Sequence, residues 1–292
     1  MAGGSPAVAT PGSAVGAPGG PEVGCRKVID THCHLDSARF DPDRGEVLDR
    51  AFAAGVCGLV VPAVGPGSWE RLLEWPVRQA RIQVGLGLHP QLLPELPEVE
   101  DDRNLAALEA LLARGGAAAV GECGLDGPSA AAAPMARQLR VLERHLELAR
   151  RHRLPVLLHC LRAHQELIAL LRKVPFPEGG VVLHSYSGSA DQVRTYAGLG
   201  CHFSFAGPVT FEGARRSLEA ARVVPADRLL LETDAPDQAP HPHRGGRSEP
   251  SYLPLICAAL ARVRGEPEGE LAEATTRNAL ALFPALAAGA AG

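Results

Sequence analysis

Val56-Cys57-Gly58-Leu59-Val60-Val61-Pro62-Ala63-Val64 is apolar at nearly every position and follows an amphipathic stretch, residues 44–54. A strand with one wet face alternates apolar and polar side chains, so a run apolar on both faces belongs to a parallel sheet covered outside by helices. The same kind of burst recurs on either side of it, at 27–30, 82–88, 117–121, 154–159, 180–184, 201–205 and 228–232. Between the bursts lie stretches of helical period, 69–80, 105–113, 134–153, 164–173, 190–199 and 215–223, with two more near 252–264 and 267–282. About eight β-then-α units without a repeated motif predict an α/β fold of the (β/α)8 TIM-barrel type rather than an open doubly wound sheet.

Composition bounds the rest. The 292 residues, 46% hydrophobic and 21% charged, are enough for one barrel-sized core. Residues 1–25 are almost wholly Ala, Gly, Pro, Ser and Val without periodicity and read as a disordered tail; the barrel is expected over 26–284, with a short flexible Ala/Gly tail at 285–292. Seven cysteines without a C-x-x-C pair, no signal-peptide pattern and no long uncharged apolar run predict a cytoplasmic chain without membrane segments. A net charge of −4 argues against a broad basic footprint on duplex DNA, so a nucleic-acid substrate would be gripped over a short stretch.

The chemistry gathers at the downstream ends of the bursts. The first runs into His32-Cys33-His34, and side chains two apart on an extended segment point the same way. The fourth ends at Glu122, the fifth at His159, the sixth at His184 and the eighth at Asp234. In a barrel those ends converge on one mouth. A single buried His at a strand end is ordinarily a structural residue, but coincidence at five strand ends is not. The inventory exceeds one tetrahedral ion and suits a carboxylate-bridged pair of ions about 3.5–4 Å apart, with Zn, Mn, Mg or Co all compatible with the ligands. Cys33, Cys123 and Cys160 adjoin these residues, yet neighbours on a strand face opposite ways, so they are read as packed against the helices.

These blocks carry a resemblance. Asp30-Thr31-His32-Cys33-His34-Leu35-Asp36, Gly87-Leu88-His89-Pro90, Gly121-Glu122-Cys123-Gly124-Leu125-Asp126 and Leu231-Glu232-Thr233-Asp234-Ala235-Pro236 resemble, in order, the signature blocks of the TatD family of metal-dependent hydrolases. Residues 155–160, 184–189, 247–250 and 276–279 are similar to its remaining blocks, so the resemblance spans roughly residues 27–283. It implies a dinuclear site of the amidohydrolase kind and metal-dependent removal of nucleotides from DNA ends. Carried over by position, His32, His34 and Asp234 would bind one ion, His159 and His184 the other, and Glu122 would bridge them. The chain departs from the family pattern at Cys123, where an aliphatic residue is usual, at Ser248, where Asn is expected, and in the short Ala-rich segment after Asp126.

The function expected is therefore a hydrolase, a deoxyribonuclease acting like an exonuclease on DNA ends or short single-stranded nucleic acid, with two ions activating the attacking water. Asp234 is the candidate general base, and Glu122 joins the catalytic set as the bridge. His89 is expected to donate a hydrogen bond to the scissile phosphate, and Arg162, Arg244 and Arg247 to contact flanking phosphates. The same fold also serves other ester and amide hydrolases, including one that would remove an amino acid from mischarged aminoacyl-tRNA. Glu122 stands where many of those use a carbamylated lysine. A non-catalytic nucleic-acid module would show stacking aromatics and a basic face, and with 4% aromatic residues and a negative net charge the chain shows neither. Oligomeric state is not legible from the sequence.

Overall fold

The computed structural model describes Met1 and residues 27–290; the expected tail at 1–25 lies, Met1 apart, outside the described residues. Eight strands form one parallel sheet in the order β1-β2-β3-β4-β5-β6-β7-β8. They are β1 (Val28–Asp30), β2 (Val56–Pro62), β3 (Ile82–Leu86), β4 (Ala119–Asp126), β5 (Val156–Leu161), β6 (Val181–Leu183), β7 (His202–Phe205) and β8 (Leu229–Leu231). The sheet closes between its first and last strands: Thr31 donates its backbone N–H to Leu231 O at 3.0 Å, and Asp234 donates to His32 O at 2.9 Å. A closed ring of parallel strands with helices outside is the TIM barrel.

The helices are α1 (Arg44–Ala53), α2 (Trp69–Leu73), α3 (Trp75–Arg78), α4 (Asp101–Arg114), α5 (Met135–His152), α6 (His164–Lys173), α7 (Ala190–Gly198), α8 (Arg215–Val223), α9 (Leu253–Arg264), α10 (Glu268–Leu282) and α11 (Ala287–Ala290). Their apolar faces pack on the strands; α5, for example, buries Val141, Leu142, Leu146 and Ala149. The helix expected over 69–80 is two short ones. Pro76, which lacks an N–H and crowds the preceding turn, sits at the start of α3, where a proline is tolerated. No helix of the described residues is long and apolar enough to cross a membrane.

Two departures from the sequence reading bear on the site. Strand β4 does not stop near Glu122 but runs on to Asp126. After a register shift between Val120 and Cys123, Cys123 to Asp126 pair with Leu158 to Leu161 of β5. Gly124, at φ +147°, permits this approach, since a Cβ there would lie 2.0 Å from His159 O. Secondly, the segment expected to be a flexible tail is helical as far as Ala290. Leu286 is fully buried beneath the barrel against a cluster that includes Ile29, Val60, Ala119, Leu157, Leu230 and Phe283. Burying that leucine favours the ordered segment, and Gly289 lies close against the Ala80 backbone beside it.

Candidate metal centre

The functional side chains come from five strands or from the residues just after them. His32 and His34 follow β1, Glu122 lies within β4, His159 within β5, His184 follows β6, and Asp234 follows β8. Arg162, Ser185, Asp234 and Gln238 all adopt positive φ at this mouth, at 53°, 42°, 53° and 51°. Non-glycine residues rarely take that conformation, and such strain gathers where side chains must be aimed rather than packed.

Glu122 is the hub. Its Oε2 lies 3.1 Å from His32 Nε2 and 3.3 Å from His34 Nε2. Its Oε1 lies 2.7 Å from His184 Nε2, 2.8 Å from His89 Nε2 and 3.4 Å from His159 Nδ1. Asp234 Oδ1 faces the first pair, 3.8 Å from His32 Nε2 and 3.7 Å from His34 Nε2. Among the described residues, three overlapping triads bring ligand atoms within 4.8 Å of one another: His32–Glu122–His184, His32–His34–Asp234 and His89–Glu122–His159. The six residues expected to ligate thus converge, and His89 stands beside them.

Tautomers sort the two histidines of the last triad. His159 Nε2 lies 2.9 Å from Asp126 Oδ2, a carboxylate that can only accept, so the proton sits on Nε2 and the lone pair on Nδ1 faces Glu122. At His89 the situation is reversed. Its Nδ1 accepts the Gln91 backbone N–H at 3.1 Å, so Nε2 carries the proton and donates to Glu122 Oε1, 2.8 Å away. His159 therefore has the free electron pair of a ligand and His89 the N–H of a donor.

The electrostatics call for positive charge. Burial would raise the Glu122 pKa, but the imidazoles of His89, His184 and His32 hold it well below the carboxylate range. Burial pulls His34 down, yet Glu122, Asp234 and Asp36 push it up to about 9, and Glu122 with Glu232 pushes His184 well above its ordinary value in the same way. His32 Nε2 and His34 Nε2 stand only 3.3 Å apart, and the Nδ1 atoms of His32 and His34 are buried without a partner. Converging imidazole nitrogens around shared carboxylate oxygens are a donor set for a divalent cation, so these residues fit the metal that the sequence implies.

Several supporting residues were not singled out in the sequence. Asp126 also accepts from Gln91 Nε2 at 2.9 Å and from Ser129 N–H at 2.8 Å. Glu232, fully buried, faces His184 Nδ1 at 3.8 Å and accepts from Ser185 N–H and Ser204 Oγ–H. The second oxygen of Asp234, the candidate general base, accepts from Gln238 Nε2. The signal for Asp126 and Glu232 is an acid inside an otherwise apolar burst, which must find partners to be buried at all.

The arginines divide. Arg247 does not reach the cleft as expected. Its guanidinium donates to Arg39 O, both Asp43 oxygens and Glu249 Oε1, at 2.7–2.9 Å, and it lies over the Phe40 ring. Those donors are spent on tying the loop after β8 to the start of α1. Arg244 lies over Phe211. Arg162 is exposed beside the cleft, lining a pocket next to it. Cys33 and Cys123 are fully buried thiols whose burial pushes their pKa well up, as packing residues require.

Comparison with known proteins agrees with this geometry. The family profile described as TatD related DNase matches residues 29–284. The uncharacterized metal-dependent hydrolase YabD of Bacillus subtilis is 34% identical over 88% of this chain and 98% of its own length. A protein of Cronobacter sakazakii named 3′-5′ ssDNA/RNA exonuclease TatD is 36% identical over 88% of this chain and 97% of its own. The crystal structure of YjjV, a TatD homologue from Escherichia coli, superposes with a TM-score of 0.82 at 35% identity, covering 89% of this chain and 98% of that one. The chain belongs to the TatD-related DNase family of metal-dependent hydrolases.

Proposed function

We propose that the protein hydrolyses phosphodiester bonds at the ends of single-stranded nucleic acid, using two ions. The carrying observation is that the two oxygens of Glu122 face different histidine sets, His32 and His34 on one side and His159 and His184 on the other. Two divalent ions, of Zn, Mn, Mg or Co, held by those residues with Asp234 and Glu122, would lower the pKa of a water and offset charge on the phosphate oxygens. Asp234, oriented by Gln238, takes the proton from the water as its oxygen attacks phosphorus. The bond from phosphorus to the leaving nucleotide oxygen breaks, and that oxygen leaves with a proton from solvent. His89 Nε2–H, its tautomer fixed by Gln91 and its proton shared with Glu122 Oε1 at 2.8 Å, would be free to donate to a non-bridging oxygen once Glu122 holds the ions. A cavity of about 420 Å³ lined by His34, His89, His159, His184, Asp234 and Gln238 gives the substrate access.

The exonuclease name of the Cronobacter relative supports the choice of substrate. The test is to strip the protein with chelator, restore Mn or Zn, and offer DNA and RNA oligonucleotides labelled at either end, beside an aminoacyl-tRNA. Stepwise shortening from one end is expected. Absence of nucleic-acid cleavage with every metal, or release of amino acid alone, would overturn the proposal.

A further inference from the structure

The cleft over the ligand cluster continues in two directions of opposite charge. Toward β5 to β7 it shares Leu161 and Ser187 with a pocket of about 460 Å³ that carries Arg162, Gln165 and Arg216, and Ser185 and Gln238 with a second of about 350 Å³ under Arg215 and Arg216. Glu166 is the one acid lining the first, and none lines the second. Arg162 and Arg216 are exposed and make no ion pair among the described residues, whereas Arg39, Arg44, Arg50 and Arg247 each do. In the other direction the cleft shares His34, His89 and Gln91 with a pocket of about 410 Å³ lined by Asp36, Glu95 and Asp237. The one cation lining it, Arg39, is 2.7 Å from Asp237, and Arg71 reaches Asp36 at 3.7 Å from outside the lining.

We infer that the strand leaves the reacting phosphate along the Arg162–Arg216 groove, and that the side of Asp36, Glu95 and Asp237 admits only a terminal nucleotide. This rests on the nuclease reading above and adds to it which side holds the polymer and why only an end is cut. Two unpaired guanidiniums in a groove are free to take phosphate oxygens. The carboxylates on the far side, with Asp237 and Asp36 each shared with one arginine and Glu95 in no ion pair among the described residues, repel a second phosphate but tolerate a nucleoside that carries none beyond the scissile one. An internal bond would place a further phosphate among those acids, so the charge asymmetry itself restricts attack to ends.

The test separates binding from cleavage. Fluorescence anisotropy of a labelled single-stranded oligonucleotide, with chelator present so that nothing is cut, is read against salt for the wild type, for Arg162→Gln with Arg216→Gln, and for Arg103→Gln on α4 as a control. The double variant is expected to bind about tenfold more weakly, and its log–log salt slope to be shallower by about 1.4, the share of two phosphates on a single strand. The Arg103 variant is expected to match the wild type. Should the double variant fail to fold, Glu166→Gln, which removes the one acid of the groove, is expected to tighten binding and steepen the slope. Unchanged affinity in the double variant, an equal loss in the Arg103 control, or no effect of Glu166→Gln overturns the inference. Binding through these arginines by a protein that cleaves no oligonucleotide would instead refute the nuclease reading and leave the groove standing.

Discussion

His159 and Asp126 are coupled across neighbouring strands: the imidazole Nε2 stands 2.9 Å from the carboxylate Oδ2, and the opposite nitrogen, Nδ1, faces Glu122 Oε1. The pair exists because β4 continues past Glu122 and lies in register with β5. Removing the carboxylate in Asp126→Ala frees the ring to take the other tautomer and to rotate. Affinity for metal is expected to fall by ~10–100-fold, the usual effect of losing the partner of a ligating histidine, with a smaller loss in Asp126→Asn, which keeps an acceptor. Calorimetric titration with Zn or Mn reads this without reference to turnover, and an unaltered affinity in the alanine variant would remove Asp126 from the site.

Glu122 touches both histidine sets, so a bridged pair of ions should depend on it more than on any one histidine. Elemental analysis after saturation with Mn or Zn is expected to give near two equivalents for the wild type and a marked fall for Glu122→Ala. A wild-type ratio that stays at one contradicts the bridged arrangement.

Asp234 combines a place beside His32 and His34 with a hydrogen bond from Gln238, and substitution can separate ligation from proton transfer. Asp234→Asn keeps shape and one carbonyl oxygen and is expected to retain most of its metal while turnover drops by ~10²–10⁴. His159→Ala is expected to lose metal instead and to regain part of its rate as metal is added. Near-normal turnover of Asp234→Asn at saturating metal leaves Asp234 a ligand only.

His145 on α5 supports the loop that carries His89. Fully buried, it accepts the Leu88 N–H at Nε2, 3.0 Å away, and donates from Nδ1 to Val141 O at 2.8 Å. Burial lowers its pKa from 6.5 to about 4, so the folded chain keeps it neutral while the unfolded chain takes a proton. Its contribution is therefore complete above pH 6.5 and drains away as pH falls toward 4. One proton corresponds to ~1.4 kcal/mol per pH unit in that window. Urea unfolding in chelator should give a flatter pH dependence for His145→Gln than for the wild type, and identical slopes would show that the histidine is not held neutral.

Leu286 carries the floor of the barrel. Truncation to alanine leaves a void among Ile29, Val60, Leu157 and Phe283 and is expected to cost ~2–5 kcal/mol in denaturant unfolding, with metal stoichiometry unchanged. A loss below about 1 kcal/mol would mean that the segment rests on the barrel without supporting it.

The strands and the six converging side chains were legible because both depend on local signals. A run such as Val56–Pro62 is buried at every position and reads as a covered parallel strand from composition alone. His32, His34, Glu122, His159, His184 and Asp234 are polar residues at the ends of such runs. What escaped was set by contacts between distant segments. Nothing local says that β4 continues beyond Glu122, since that depends on Gly124 allowing close approach to His159 O. Leu286 in an Ala-rich stretch gives no periodic signal, and its order comes from a cavity lined by other strands. Arg247 has the composition of a phosphate ligand, and only the positions of Asp43 and Glu249 show its donors to be occupied.

Closure of the barrel between β1 and β8, where Asp234 donates to His32 O, has a consequence for biosynthesis. A chain emerges from the ribosome amino end first, and a domain folds as a unit. His32, His34, Glu122, His159 and His184 are all translated before Asp234, so a nascent chain exposes a partial, open set of imidazoles until the last strand arrives and docks against the first. An ion taken up in that interval would be held by fewer ligands, so firm retention would follow the seating of the eighth strand.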